Sequence, residues 1–190
     1  MQIDRDEILG IFKSTGALQE GHFILRSGLH SGHFFQCARV CEHLDKVTLL
    51  AERLISILPP TDEIKTVIAP AMGGLVIGQE VARQLGKRFI FAEKVNDTLA
   101  LRRDFKIKPG EQLLLVEDVI TKGGRVAETL DLIDSRGGIC DAVAVLVDRS
   151  NAAPAFKTPL FPLLKMNFPT YEFNQLPAEL RNIPAVKPGS

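Results

Sequence analysis

Tryptophan is absent from the 190 residues, tyrosine occurs once, and cysteine occurs three times. So small and odd a set of thiols, Cys37, Cys41 and Cys140, excludes the disulfide framework that staples small secreted domains. No sign of charge prevails either. Twenty-three basic residues face 23 acidic ones, for a formal net charge of zero, so the chain lacks the general basic field that draws in nucleic acid. An anionic ligand would have to be held by local charge and backbone donors. Long hydrophobic runs are missing too. The longest are strand-sized, well short of the roughly 20 residues that cross a bilayer. The charged opening Met1-Gln2-Ile3-Asp4-Arg5-Asp6 is not followed by an apolar leader core. These absences predict a cytoplasmic, reduced protein with no membrane and no nucleic-acid partner.

What is present fits one domain with a single core: 45% of residues are apolar and 24% charged, near the average for soluble domains. The pattern opens with a helix, for Asp4 can cap it with Glu7 three residues on, while Ile8, Ile11 and Phe12 share a face and Gly16 can end it. From Gly21 to Val40 the text turns β-like. Phe23-Ile24-Leu25, a Ser27-Gly28 turn and Phe34-Phe35 predict a hairpin. Val47, Leu50, Ala51, Leu54, Ile55 and Leu58 repeat at helical spacing until Pro59-Pro60.

The chain then alternates. Strand Val67-Ile68-Ala69 leads through Pro70 and Met72-Gly73-Gly74 into a helix ending at Gly86. Phe89-Ile90-Phe91 is a strand, and the polar stretch from Glu93 to Thr98 reads as a mobile loop. Leu113 to Val116 and Val143 to Val147 are continuously apolar, as expected of strands covered on both faces. Between them Val126, Leu130 and Ile133 predict a helix stopping at Gly137-Gly138. Alternation of this kind predicts an α/β fold with a mostly parallel sheet flanked by helices. The proline-rich last forty residues read as a small irregular cap.

The chemistry concentrates in Leu113-Leu114-Leu115-Val116-Glu117-Asp118-Val119-Ile120-Thr121-Lys122-Gly123-Gly124-Arg125. A buried strand ends in two adjacent carboxylates, passes through a short turn and enters a helix. Ligands of open α/β sheets bind at such carboxyl ends. Gly123 and Gly124 let backbone N–H groups close around an anion, and the helix N-terminus adds unpaired donors and positive dipole. Glu117 and Asp118 would repel a phosphate unless they faced something else. The vicinal hydroxyls of a sugar suit them, and a divalent cation could sit nearby. The spacing is neither a Walker loop nor a dinucleotide fingerprint.

The string Val116-Glu117-Asp118-Val119-Ile120-Thr121-Lys122-Gly123-Gly124 resembles the phosphoribosyl pyrophosphate signature of type I phosphoribosyltransferases. The hairpin Gly21-His22-Phe23-Ile24-Leu25-Arg26-Ser27-Gly28-Leu29-His30-Ser31, the pair Phe34-Phe35, the step Asp148-Arg149 and the tail Ile183 to Ser190 are similar to the orotate branch of that family. The likeness implies a type I phosphoribosyltransferase-like α/β domain spanning 1–190. Its hood would come from roughly 1–45 and 150–190 and its core from roughly 46–149, with Val147-Asp148 closing the last parallel strand. It implies transfer of ribose 5-phosphate from phosphoribosyl pyrophosphate to orotate by a homodimer, with Mg²⁺ held mainly by substrate and no direct protein ligand to the metal.

By the same resemblance, the ribosyl donor is bound by Glu117, Asp118, Val119, Ile120, Thr121, Lys122, Gly123, Gly124 and Arg125 together with Lys94. Lys94 and Asp118 are the catalytic residues. Orotate meets Arg26, Phe34, Phe35, Thr121 and Arg149, and a guanidinium fork suits its carboxylate. The chain departs from the pattern in two places. Glu93 stands where relatives carry an arginine beside Lys94, with Arg102 and Arg103 as possible substitutes, and Met72-Gly73 replaces a Tyr-Lys pair. His30, His33, Cys37, Cys41 and His43 lack zinc-site spacing. A phosphoribosyltransferase for another base, or a non-catalytic sensor of the ribosyl donor, are the alternatives.

Overall fold

In the computed structural model, which describes residues 4–25, 27–152 and 156–188, the continuous apolar runs are the central strands of a six-stranded sheet. Its strands are β3 (Thr66–Pro70), β4 (Arg88–Val95), β5 (Thr98–Leu101), β6 (Gln112–Ile120), β7 (Ile139–Asp148) and β8 (Leu160–Lys165), in the order β5-β4-β3-β6-β7-β8. Every neighbouring pair is parallel except β4 with β5. Side chains alternate across a strand. Leu114 and Val116 therefore join one buried cluster while Leu113 and Leu115 join the other. On the first face lie α1 (Arg5–Ser14), α2 (Leu44–Ile55) and α3 (Gly74–Leu85), and on the second lies α4 (Gly124–Asp134). Two covered faces explain why these strands carry no polar alternation.

The helix ends follow the expected chemistry. Asp4 caps α1 by accepting from Asp6 N at 2.9 Å and Glu7 N at 3.3 Å. The Glu7 carboxylate does not return to the cap. It takes a two-point bond from Arg53 on α2, at 3.2 and 3.3 Å, because a guanidinium fork is a stronger partner than one backbone N–H. Ile8, Ile11 and Phe12 are buried as the spacing predicts.

The hood is a hairpin of β1 (Leu18–Ile24) and β2 (His30–Phe35), extended by β9 (Thr170–Tyr171) on the edge of β2. Val186 seals its other side, donating to His22 O at 2.8 Å and accepting from Ile24 N at 2.9 Å. The C-terminal chain, including the short α5 (Ala178–Arg181), thus packs beside the N-terminal hairpin.

Two expectations need correction. Residues 93–98 are not a loop, since β4 and β5 pair from Ala92↔Leu101 to Val95↔Thr98. Asn96 and Asp97 turn the chain with φ of 48° and 65°, and two left-handed residues are what a two-residue hairpin turn requires. Secondly, β7 is not the last parallel strand. Residues 160–165, expected in the hood, extend the core sheet as β8. Pro162 lies within it, which an edge strand tolerates because only one of its sides is paired.

Candidate active site

The carboxyl end of β6 carries the site. Burial falls along it from Val116, fully enclosed, through Glu117, 2% exposed, to Asp118 and Val119, half-buried. Ile120 turns back into the core, and Thr121 and Lys122 stand exposed before Gly123 and Gly124 open α4. Gly123 has φ +76°, and no side chain caps the helix behind it. The first-turn N–H groups are thereby left for an incoming anion. Residues from Glu117 to Val126 line a cavity of about 230 Å³.

The two carboxylates are unlike. Glu117 Oε1 accepts Asp118 N at 3.0 Å, and Glu117 Oε2 is buried with no hydrogen-bond partner among the described residues. Burial pushes its carboxyl up to about 9, with further upward push from the hydrogen bond and negative charge of Asp118, partly offset by Arg125. Asp118 Oδ1 accepts Val119 N at 2.8 Å. An acid held neutral beside a second carboxylate can donate as well as accept, which suits hydroxyl groups, themselves both donors and acceptors.

The turn between β3 and α3 closes the site from the side. A β-carbon on Gly73 would fall 2.5 Å from Asp118 Oδ1, and one on Gly74 would fall 2.8 Å from Val116 O. A side chain at position 73 would therefore require the Asp118 carboxylate to move from its observed place. Met72 beside it is exposed. Arg125 Nη1 reaches across from α4 to Ala71 O at 3.3 Å, joining the two walls.

Arg149 follows β7 and is tied to the same strand end, its N–H donating to Ile120 O at 2.8 Å. Its Nε is buried with no partner among the described residues. Burial lowers the pKa of the guanidinium from its usual value. The charge sits 5.7 Å above the ring of Phe168. A desolvated cation with an unused donor is prepared for an anionic ligand.

Other expected site residues are placed differently. Phe35 is buried and edge-on to Phe12, with ring centroids 5.2 Å apart. Phe34, its neighbour on a strand, points the other way and lies 5.7 Å from Phe23. The two cannot flank one ligand, and Phe35 belongs to the core. Arg26 lies outside the described residues. Lys94 is on β4, outside the cavity lining, with Nζ 3.6 Å from Asp97 Oδ1. Glu93 takes Arg103 Nη2 at 2.6 Å, and Arg103 also lies over Phe91 at 5.6 Å. That arginine is occupied by packing, not offered to a ligand. His22 Nε2 and His30 Nδ1 lie 2.7 Å apart in the hood. Among the described residues no three or more His, Cys, Asp or Glu side chains converge as a metal cage.

Two contributors carry no mark in the sequence: Phe168 beneath Arg149, and Glu128 on α4, whose Oε1 accepts Leu99 N at 2.5 Å. Gly73, marked by the Gly-Gly pair after a strand as backbone for pyrophosphate, is placed against Asp118.

Comparison with known proteins agrees with this geometry. Residues 42–178 match the family described as a phosphoribosyl transferase domain. The chain is 46% identical over 187 residues to an orotate phosphoribosyltransferase of Novosphingobium aromaticivorans, covering 97% of this chain and 96% of that relative. It is similar to the crystal structure of orotate phosphoribosyltransferase from Aeropyrum pernix, with TM-score 0.70 and 21% identity over 84% of this chain and 93% of that one. It is also similar to adenine phosphoribosyltransferase from Rhodothermus marinus, with TM-score 0.67 and 20% identity over 85% of this chain and all of that one (100%). At such identities the structural likeness speaks for the fold alone, since it embraces enzymes named for different bases.

Proposed function

Because the chain belongs to the orotate phosphoribosyltransferase family, we propose that it transfers ribose 5-phosphate from phosphoribosyl pyrophosphate to orotate, releasing pyrophosphate and orotidine 5′-monophosphate. One observation carries this reading. An acid pair of one buried and one half-buried carboxylate shares a cavity of about 230 Å³ with an anion cradle, and Arg149, whose Nε has no partner among the described residues, is tied to the same strand end by its backbone N–H on Ile120 O.

The C1′–O bond to pyrophosphate breaks with its electron pair leaving on pyrophosphate. Orotate N1 supplies the pair for the new C1′–N1 bond, and its proton is released. The protein has no nucleophile to supply. Its residues orient two anions and stabilise developing charge. Glu117 and Asp118 hold the ribose hydroxyls, Glu117 Oε2 having no other partner among the described residues. Thr121, Lys122, Gly123, Gly124 and Arg125 close around the 5-phosphate. Arg149 meets the orotate carboxylate, and Lys94 approaches the departing pyrophosphate from β4.

The family implies Mg²⁺. Burial keeps Glu117 protonated, so Asp118, half-buried at the cavity, is the hard oxygen donor beside which an ion carried chiefly by substrate oxygens would sit. When bound, the ion neutralises charge on the departing pyrophosphate. The homodimer and cytoplasmic location that the resemblance implies belong to the same proposal, and sedimentation analysis tests the first.

The direct test is spectrophotometric loss of orotate in the presence of the ribosyl donor and Mg²⁺, repeated with adenine, hypoxanthine and uracil. Turnover of orotate alone is expected. Turnover of a purine in its place would overturn the reading.

A further inference from the structure

Arg149 is the cation of the site best placed for a base carrying a carboxylate, yet no acid among the described residues holds it. Among the described residues no carboxylate lies within salt-bridge distance, and Nε is buried without a partner. A flexible side chain in that state needs something else to keep it from swinging into solvent. The ring of Phe168 lies beneath the guanidinium, 5.7 Å from Cζ to centroid. A cation over an aromatic face is attracted without losing any of its N–H donors.

The ring is itself held from the hood. It stacks on His33 of β2 with centroids 4.5 Å apart and an interplanar angle of 9°. The next residue is fixed as well, since Ser31 Oγ donates to Pro169 O at 3.2 Å, and Thr170 pairs with Ser31 as β9 joins β2. Phe168 therefore links the hood hairpin to the arginine at the end of β7.

We propose that Phe168 is a positioning residue for base recognition: its ring, clamped by His33, holds the Arg149 guanidinium aimed at the carboxylate of the base with its donors free. This rests on the reading of the site as an orotate-binding one. Phe168 touches no reacting atom. It acts on how well the base binds, so its loss raises KM for orotate and leaves both kcat and KM for the ribosyl donor near their starting values.

The test uses Phe168→Leu, which keeps an apolar side chain but removes the ring, and Phe168→Tyr, which keeps the ring. The leucine variant is expected to raise KM for orotate about tenfold, a factor in line with a partly desolvated cation–aromatic contact. The tyrosine variant is expected to stay within twofold or so on the same scale. In an Arg149→Ala background Phe168→Leu should add nothing further. An equal rise in both KM values, or additive effects in the double variant, would overturn the proposal. A second measurement needs no substrate. The Nε–H signal of Arg149 in nitrogen-15 NMR should be shifted by the ring current and slow to exchange in the native chain and in Phe168→Tyr, and lose both properties in Phe168→Leu. An unchanged signal in the leucine variant would count against the role even if its fold were altered. Failure of the native protein to consume orotate, with the NMR signature intact, would instead remove the base assignment and leave the Arg149–Phe168 contact standing.

Discussion

Asp118 occupies the space that a side chain on Gly73 would need: its three terminal atoms lie 2.5 to 2.8 Å from where a β-carbon would stand. The carboxylate cannot simply swing aside, because Oδ1 accepts Val119 N at 2.8 Å. Gly73→Ala must therefore either break that bond or push the turn away from β6. Misplacing a positioning group by an ångström costs on the order of 100-fold in rate. We expect kcat/KM for the ribosyl donor to fall by about that factor, with circular dichroism unchanged. A variant that retained native turnover would show that Asp118 does not need its observed position.

The raised carboxyl of Glu117 makes stability depend on pH. An unfolded glutamate titrates near 4.5, whereas burial and Asp118 put the folded group at about 9. Between those values the native state keeps a proton that the unfolded state has released, so stability falls as pH rises through the window. Glu117→Gln preserves the shape and removes the titration. Thermal melts of the ligand-free protein should show the glutamine variant gaining on the native chain as pH rises from about 5 to about 9. Parallel melting curves across that range would mean that Glu117 is ionised in the folded protein.

Removing the guanidinium at Arg149 tests the base contact directly. Truncating one partner of a buried charge pair costs about 2–5 kcal/mol. Arg149→Ala should accordingly raise KM for orotate by about 30-fold or more, and that for the ribosyl donor far less. Steady-state kinetics with each substrate varied in turn separates the two. Equal effects would make Arg149 a structural residue.

The parts of this molecule that could be read from the text are those whose chemistry is local. Leu113 to Val116 reveal a doubly covered strand because burial on both faces removes polar alternation. The acid pair and Gly123-Gly124 reveal a ligand turn because few other folds need that order. What escaped was non-local or ambiguous. Strand β8 is hidden by Pro162, which argues against a strand until its edge position is known. The β4–β5 hairpin is hidden by its charged residues, since Glu93 and Lys94 read as a polar loop although Asn96-Asp97 is a turn signal. Phe35 and Phe34 look alike in the text, and only the strand's alternation sends one to the core. Phe168 acts through His33 and Arg149, which stand far from it in the chain, so no local pattern could mark it.

Glu128 connects α4 to the hairpin that bears Lys94. Leu99 is on the edge strand β5, and its N–H donates to Glu128 Oε1 at 2.5 Å instead of to a neighbouring strand. Lys94 pairs directly across from Leu99, so the bond to Glu128 ties the strand pair that carries this lysine to α4. Removing an acceptor from a half-buried amide costs about 1–3 kcal/mol and frees the hairpin. Glu128→Ala should speed hydrogen exchange at Leu99 and lower kcat while leaving KM for orotate unchanged, the pattern expected when a transition-state contact is weakened. Glu128→Gln keeps an acceptor oxygen and should restore most of both properties. Lys94→Ala should reproduce the loss of kcat without the change in exchange, and combining it with Glu128→Ala should lower kcat no further. Additive losses in that pair would show that Glu128 acts on turnover by some route other than Lys94.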